Sequence, residues 1–362
     1  MRSMARFFGK ELDRKELLKR IGHMSQLAYI QPFEYTEGKA QGIKALNVAN
    51  GTGLEFTLLE SKCLDMISMK YKGMNLNFLP KSGIVSPALA DMNGTEFMRS
   101  ISGGMLYTCG LRNVGTTAVD GGLNQVFHGN LKNTPAEKVN AFAAWQGDDY
   151  VLKVSGEMNE SAIFNENLLL KRTISTKAGA KSVLIEDRVE NQGFEEQELM
   201  LLYHVNVGFP ILDENSRLLI PKSKTVARDP LSQTGIAEFA QLTAPVDGYT
   251  EQVFSHETAS NSEGMTGAAV INDQLGIGVY IKYNANMLPN LVEWKSMRSG
   301  DYALGIMPAT CNVKGRTFER ESGTLRRINS FETLDFSLEI GVLDGKDDIE
   351  SFEQFIRQLE GE

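Results

Sequence analysis

Residues 199–209 carry the side chains best suited to chemistry. The odd-numbered positions of this run are apolar or aromatic, whereas His204, Asn206 and Gly208 follow one another on the opposite face of an extended chain. Histidine has an unperturbed pKa near neutrality, so it can donate or accept a proton at pH 7. The pattern predicts a strand that enters a polar pocket. A buried histidine paired with a neighbouring carbonyl is an equally good interpretation.

The other three histidines have weaker local signals. His128 lies in a turn-rich segment, residues 121–135, where a functional loop and a solvated side chain are both possible. His23 follows a predicted helix, and the polar stretch around His256 predicts a surface position. The three cysteines show no CxxC spacing, and two separated histidines are a poor metal set, so no metal site is predicted.

Strand patterns fill the chain between two helical ends. Period-two alternation over residues 150–154, 277–283 and 336–342 is typical of strands, and no β–α–β order or internal repeat occurs. Helical spacing appears at residues 11–21 and after Asp347. We predict an all-β protein, a large antiparallel β-sandwich over residues 29–345, flanked by an N-terminal helical segment (1–28) and a C-terminal helix (346–362). Two smaller β domains are the alternative.

Composition limits the partners. The 362 residues carry 37 Lys+Arg and 46 Asp+Glu, a net charge of −9, which argues against nucleic-acid binding. The sequence contains no apolar run long enough to predict a membrane span, and the charged N-terminus is unlike a signal peptide. With scattered cysteines, these features predict a cytoplasmic protein. The sequence leaves the oligomeric state open.

Several short blocks, taken together and in order, resemble one family. They are LDM at 64–66, GGMLYTCGL at 103–111, HGN at 128–130, IEDRVEN at 185–191, LYHVN at 202–206, LDE at 212–214, EQVF at 251–254 and EWK at 293–295. The chain is similar over nearly its whole length to the bacterial aldose 1-epimerase-like family of the galactose mutarotase-like superfamily. The resemblance implies a β-supersandwich that binds a small carbohydrate and needs no cofactor or metal.

The resemblance also implies roles for particular residues. His204 takes the position of the general acid, His128 that of a ring-binding histidine, and Asp213 that of a hydroxyl ligand. Anomer interconversion requires a base to remove the anomeric hydroxyl proton while an acid protonates the ring oxygen.

The expected base is missing from its usual place. Relatives carry Gly-x-Glu-Pro in a late strand, but here Met307 occupies the glutamate position, and a thioether cannot accept a proton at neutral pH. Glu293 is a candidate substitute, provided that an odd-numbered loop joins its strand to the Met307 strand. A two-residue loop would place Glu293 on the opposite face.

Further candidate residues lie where the sequence departs from the family's pattern and at charged or aromatic positions near the quoted blocks. Lys62 stands where relatives tend to have arginine and offers a point charge to the sugar. Arg99 and Arg112 are candidate donors to hydroxyl or acidic groups, and Trp294 is a candidate stacking platform. We expect an isomerase that interconverts the anomers of a free sugar or sugar derivative. The alternatives are a carbohydrate-binding protein that lost mutarotation through Met307, or another reaction on a modified sugar.

Overall fold

The computed structural model describes residues 5–7 and 10–361. Its strands are β1 (Ala5–Phe7), β2 (Lys10–Leu12), β3 (Tyr29–Glu34), β4 (Lys44–Ala49), β5 (Leu54–Leu59), β6 (Asp65–Tyr71), β7 (Met74–Asn75), β8 (Leu106–Leu111), β9 (Ala118–Asp120), β10 (Leu123–Gln125), β11 (Glu137–Gln146), β12 (Asp149–Ser161), β13 (Asn167–Lys177), β14 (Ser182–Asn191), β15 (Gln197–Val207), β16 (Ser216–Leu219), β17 (Ser223–Ala227), β18 (Gln252–Thr258), β19 (Met265–Asn272), β20 (Ile277–Asn284), β21 (Asn290–Arg298), β22 (Asp301–Ala309), β23 (Arg326–Ile328) and β24 (Thr333–Asp344). The helices are α1 (Arg14–Leu18), α2 (Pro230–Thr234), α3 (Arg316–Glu321) and α4 (Lys346–Gly361). The prediction of an all-β protein is confirmed.

Three antiparallel sheets form the body of the molecule. An eight-stranded sheet has the order β11-β12-β13-β14-β24-β20-β19-β16, and a five-stranded sheet has the order β3-β4-β5-β6-β7. The seven-stranded sheet runs β17-β18-β21-β22-β15-β23, with β8 also paired to β15. Antiparallel neighbours and tight turns are what the short alternating runs of the sequence predict.

The three sheets share a core, to which strands of all three contribute buried apolar side chains. On β15, the side chains of Leu199, Leu201, Tyr203 and Val205 join this main core. The opposite side of the same strand contributes Met200 and other residues to a second, smaller apolar cluster. Strand β15 is therefore buried on both faces, which places its polar residues inside the protein.

The two chain ends differ in how well the sequence predicts them. Helix α1 is only five residues long and begins after Asp13, whose carboxylate accepts the Glu16 amide at 2.8 Å. The predicted helix over residues 11–21 was therefore too long, because Leu12 ends strand β2. Residues 1–4, 8 and 9 of the predicted N-terminal segment, and residue 362, lie outside the described residues.

The predicted C-terminal helix is confirmed as α4. Its apolar stripe packs against the eight-stranded sheet, where Phe352 and Ile356 meet Ala269 and Leu343. Two aspartates in its first turn favour this end of the helix, because the amide dipoles leave partial positive charge there. Within the described ranges, none of the helices combines the length and the apolar composition needed to cross a bilayer. The domain boundaries stay a prediction.

Candidate active site

The predicted polar face of β15 lies in the middle of the seven-stranded sheet. On one side Tyr107 of β8 pairs with His204. On the other side Asn206 pairs with Gly305 of β22, and this register places Met307 beside His204. We call this side of the sheet the histidine face, defined by His204, Met307 and Trp294.

Aromatic rings surround His204 on the histidine face. The ring centroid of Trp294 lies 5.6 Å away, and that of Tyr107 lies 6.2 Å away, both edge to face. His128 arrives from the loop after β10, and its ring lies 5.8 Å from the His204 ring. The fold therefore brings together the two histidines that the sequence singled out, although 76 positions separate their numbers, 128 and 204.

The His128 loop is fixed by backbone contacts. The Gly115 amide donates to His128 Nδ1 at 3.1 Å, so Nε2 carries the proton of the neutral ring. The ammonium of buried Lys132 donates to the carbonyls of Phe127, at 2.7 Å, and Gly129. Gly129 has a φ of 71°, and a Cβ there would lie 2.2 Å from the Gly110 carbonyl oxygen, so only glycine fits.

Both imidazoles are neutral at pH 7. Burial lowers the pKa of His204 to about 4, opposed only in part by a hydrogen bond with Asn206. Burial also holds the pKa of His128 well below its usual value, and the charges of Lys132 and Arg228, together with that of His204 whenever it is protonated, lower it further. The buried Nδ1 of His204 has no hydrogen-bond partner among the described residues.

A buried ion-pair network supports the strands of the site from behind. The Tyr203 hydroxyl donates to Asp187 at 2.9 Å, and Arg172 joins Asp187 to Asp65 with contacts of 2.7 and 3.1 Å. Asp65 in turn accepts the Thr108 amide at 3.0 Å and its hydroxyl at 2.6 Å. Tyr203 and Thr108 are the sequence neighbours of His204 and Tyr107, so the network fixes β15 and β8 directly under the site.

Gly305 leaves room for the His204 ring. A Cβ at this position would lie 3.2 Å from Trp294 Cβ, 3.3 Å from His204 Cε1 and 3.4 Å from Met307 Sδ. These distances are shorter than ordinary carbon contacts, so a larger residue would displace the ring. The small residue in the late strand therefore has a direct role in the shape of the site.

Glu293 does not lie on the histidine face, and its prediction as a substitute base is wrong. Arg298 pairs with Asp301, so only two residues form the turn between β21 and β22, and this register puts Glu293 on the opposite side from Trp294. There its carboxylate lies 3.1 Å from His256 Nε2, and burial raises its pKa. His256 is itself fully buried, contrary to the predicted surface position.

The two candidate arginines also lie elsewhere. Arg99 is largely exposed and pairs with Glu96 at 2.8 Å, three residues earlier in the same 3-10 turn. Arg112 forms a largely buried ion pair with Glu166 and donates to the Asn165 side chain at 2.9 Å. Among the described residues, neither guanidinium contacts the two histidines, because Arg99 is engaged within its own turn and Arg112 by the turn between β12 and β13.

Asp213 and Asn206 have structural partners. Asp213 caps the turn before β16, accepting the Asn215 amide at 2.7 Å and the Ser216 hydroxyl at 3.2 Å. Asn206 faces the site next to His204 and donates to the Gly104 carbonyl at 3.0 Å. Asn206 therefore lies on the histidine face, and the role of Asp213 as a hydroxyl ligand stays a prediction.

Lys62 is almost completely buried. Its ammonium donates to the carbonyls of Val85, at 3.1 Å, and Ser100, at 3.4 Å. Desolvation lowers its pKa to about 8, while the nearby Asp65 carboxylate opposes this shift. Lys62 therefore ties two loops together, and its contact with a sugar stays a prediction.

Two charged residues next to the site were missed. The Trp294 indole donates to Glu251 at 2.6 Å, and Glu251 pairs with Arg228 at 3.3 Å. Arg228 is close enough to His128 to lower the pKa of that ring. The EQVF block contains Glu251, but Arg228 follows its strand without any distinctive motif, so only the pairing of β17 with β18 reveals it.

Comparison with known proteins agrees with this architecture. The family model described as "Domain of unknown function (DUF4432)" matches residues 40–342. The chain belongs to this DUF4432 family. No curated protein is similar enough to count as a match.

Solved structures described as aldose or galactose 1-epimerases and as mutarotase-like proteins share the fold. A Klebsiella pneumoniae protein, provisionally described as an aldose 1-epimerase, superposes with a TM-score of 0.88 at 24% identity, covering 92% of this chain and 88% of that one. A galactose mutarotase-like protein from Clostridium acetobutylicum gives 0.62 at 17% identity over 88% and 99% of the two chains. Galactose 1-epimerase from Lactobacillus acidophilus gives 0.55 at 10% identity over 88% and 100%. The expected galactose mutarotase-like fold is confirmed.

Proposed function

We propose that this DUF4432 protein is an aldose 1-epimerase-like isomerase that interconverts the anomers of a free sugar or a close derivative on the histidine face. The proposal depends on one observation. The ring centroids of His128 and His204 lie 5.8 Å apart, beside the Trp294 ring. Two neutral imidazoles can hold and move protons on adjacent sugar oxygens, and an indole can pack on the C–H face of a pyranose.

The protonation states favour a mechanism that begins with proton acceptance. The lowered pKa of His204 leaves its ring free to take the proton of the anomeric hydroxyl. As the bond between C1 and the ring oxygen breaks, the imidazolium returns this proton to the ring oxygen and gives the open aldehyde. After rotation about the C1–C2 bond, closure on the other face reverses both transfers. His204 is thus the base first and the acid afterwards.

His128 complements this cycle as a donor that stays neutral. Its Nδ1 is occupied by the Gly115 amide, so Nε2–H is available to hold the ring oxygen while negative charge develops there. Protonation of either imidazole disfavours protonation of the other, because their positive charges would repel. The pair therefore carries one extra proton at a time, which suits a shuttle that lacks a carboxylate at Met307.

The decisive experiment is anomer exchange in the His204→Gln variant. We expect wild-type protein to accelerate exchange of at least one aldose in an NMR magnetisation-transfer panel, and His204→Gln to lose about 100-fold or more of that rate. His23→Gln, which alters an exposed histidine at the other end of the chain, is the matched control. Full exchange activity in the His204 variant would remove the mechanism.

Sugar binding without mutarotation is the second candidate, favoured by the thioether of Met307 beside His204. Under this alternative, wild-type protein binds a saccharide in calorimetry but leaves the exchange rate equal to that of buffer. The Met307→Glu variant would then gain exchange activity, because a carboxylate beside His204 can take the anomeric proton. Activity in the wild type, lost in His204→Gln, decides against this candidate.

A further inference from the structure

A groove of about 160 Å³ lies beside the proposed sugar site on the same sheet. Its floor includes Val253 and Val292, which are the cross-strand neighbours of Trp294 and Met307. Because paired residues of an antiparallel ladder share a face, the groove opens on the histidine face and continues the site across β21 and β18.

A second path connects the groove to His128. Lys314, in the segment after β22, forms a backbone bridge with Gly115, whose amide donates to the His128 ring. The Thr116 hydroxyl also donates to the Lys314 carbonyl at 2.8 Å. The rim of the groove is therefore held against the same turn that positions His128, so a ligand between the histidines would extend naturally into the groove.

The groove is cationic on a protein whose net charge is −9. Its lining contains Lys224, Arg228 and Lys314 but only one acidic side chain, Glu257. The charge of Arg228 is neutralised by its carboxylate neighbours, whereas the charges of the two lysines are available to an anionic ligand. Lys314 lies 4.8 Å over the Phe318 ring and has no ion-pair partner among the residues described.

The Lys224 charge is also only weakly engaged. Lys224 meets Glu257 at 3.5 Å, and both side chains are more than half exposed, so this pair exchanges readily with another anion. Two cations at the rim of an apolar-floored groove are what an acidic ligand needs for orientation and for charge-assisted hydrogen bonds.

The combined length of the histidine site and the groove indicates what kind of ligand fits. From His204 through Met307 and Val292 to Ser255 the path crosses three strand spacings, roughly 14 Å in total. One pyranose ring fills only part of that distance. We propose that the groove is a second subsite that binds the acidic unit of a saccharide, a uronate or phosphorylated residue linked to the sugar held by the histidines. The inference rests on the proposed function, because the reducing end of this saccharide occupies the histidine site.

Calorimetry with three saccharides tests the subsite: lactose, lactose 6′-phosphate and digalacturonate. We expect wild-type protein to bind at least one of the acidic saccharides about tenfold or more tightly than lactose, with an advantage that shrinks as salt rises. Preference for the phosphate or for the uronate identifies which anion the groove accepts. The double variant Lys224→Gln/Lys314→Gln should lose this preference and keep its affinity for lactose.

The matched control is Lys346→Gln, which removes an exposed lysine from α4 and should retain the acidic preference. Equal binding of lactose and both acidic saccharides by wild type, or an unchanged preference in the double variant, overturns the subsite. Failure of the proposed function looks different: lysine-dependent binding of an acidic saccharide would persist, but no anomer exchange would accompany it. Absence of binding by all three saccharides overturns both.

Discussion

The neutral state of His204 is the basis of the proposed mechanism, and acid titration of stability tests it directly. An imidazole with a pKa near 6.5 in the unfolded chain and about 4 in the folded protein binds its proton more weakly after folding. Between those two values the unfolded chain holds more protons, so the free energy of unfolding falls as the pH is lowered from about 6.5 towards 4. Above pH 7 this residue contributes no pH dependence.

The size of the effect follows from the two pKa values. A difference of about 2.5 pH units corresponds to roughly 3 kcal/mol in all, of which about 2 kcal/mol is lost between pH 7 and pH 5. His128 adds to the wild-type slope in the same direction, since its pKa is also lowered. Replacing His204 with glutamine should therefore make the loss between pH 7 and pH 5 smaller by about 2 kcal/mol, without abolishing it.

The assay is urea unfolding of the wild type and His204→Gln at pH 7 and pH 5, followed by tryptophan fluorescence. The comparison uses the change with pH in each protein, so an overall loss of stability in the variant does not matter. His23→Gln, an exposed histidine, is the control and should keep the wild-type change. If His204→Gln loses as much stability on acidification as the wild type, His204 is not a buried neutral base and the proton-acceptance step is wrong.

Three further predictions concern residues around the site. Gly305→Ala should lower anomer exchange about tenfold, because the new methyl group displaces the His204 ring by a few tenths of an ångström, whereas Gly22→Ala, with open space around its Cβ, should leave exchange unchanged. Arg172→Met should cost about 3–5 kcal/mol in urea unfolding at pH 7, since it leaves Asp65 and Asp187 buried without a counter-charge, and a loss below 1 kcal/mol would contradict this. The folded pKa of Lys62 is about 8, below its value near 10.5 in the unfolded chain, so this residue contributes stability that increases as pH rises from 8 to 10. Between these two pH values the change in unfolding free energy should therefore be about 2 kcal/mol more favourable in wild type than in Lys62→Met, and identical changes in the two proteins would refute it.

The strand that carries the site could be predicted because its signal is local. Alternation along residues 199–209 put His204 and Asn206 on the face opposite Leu201 and Tyr203, and β15 has that arrangement. Period two is a property of the extended backbone itself and does not depend on partners. The same holds for the apolar stripe of α4, which is set by its own 3.6-residue period.

The sequence-based predictions that were wrong share a different cause: they depended on contacts between separate segments. The position of Glu293 depended on whether two or three residues turn between β21 and β22, and one residue more or less moves the side chain to the other face. His256 looked polar in sequence but is buried against Glu293, since a hydrogen-bonded pair can occupy a core that neither residue could occupy alone. Arg99 and Arg112 were chosen by residue type, but Arg99 pairs with Glu96 in its own turn and Arg112 pairs with Glu166 in the remote turn between β12 and β13.

By itself, the sequence determined the all-β class, the C-terminal helix and the face of β15 on which His204 lies, because each follows from the periodicity of a single backbone segment. Only the tertiary structure decided which distant groups meet there: His128 beside His204, Trp294 across β22, and Glu251 with Arg228 at the rim. Which of these groups come into contact depends on strand order, register and loop closure. Those features are determined by contacts between segments that are remote in sequence. Burial, the environment that makes both imidazoles neutral, likewise arises only when the sheets pack.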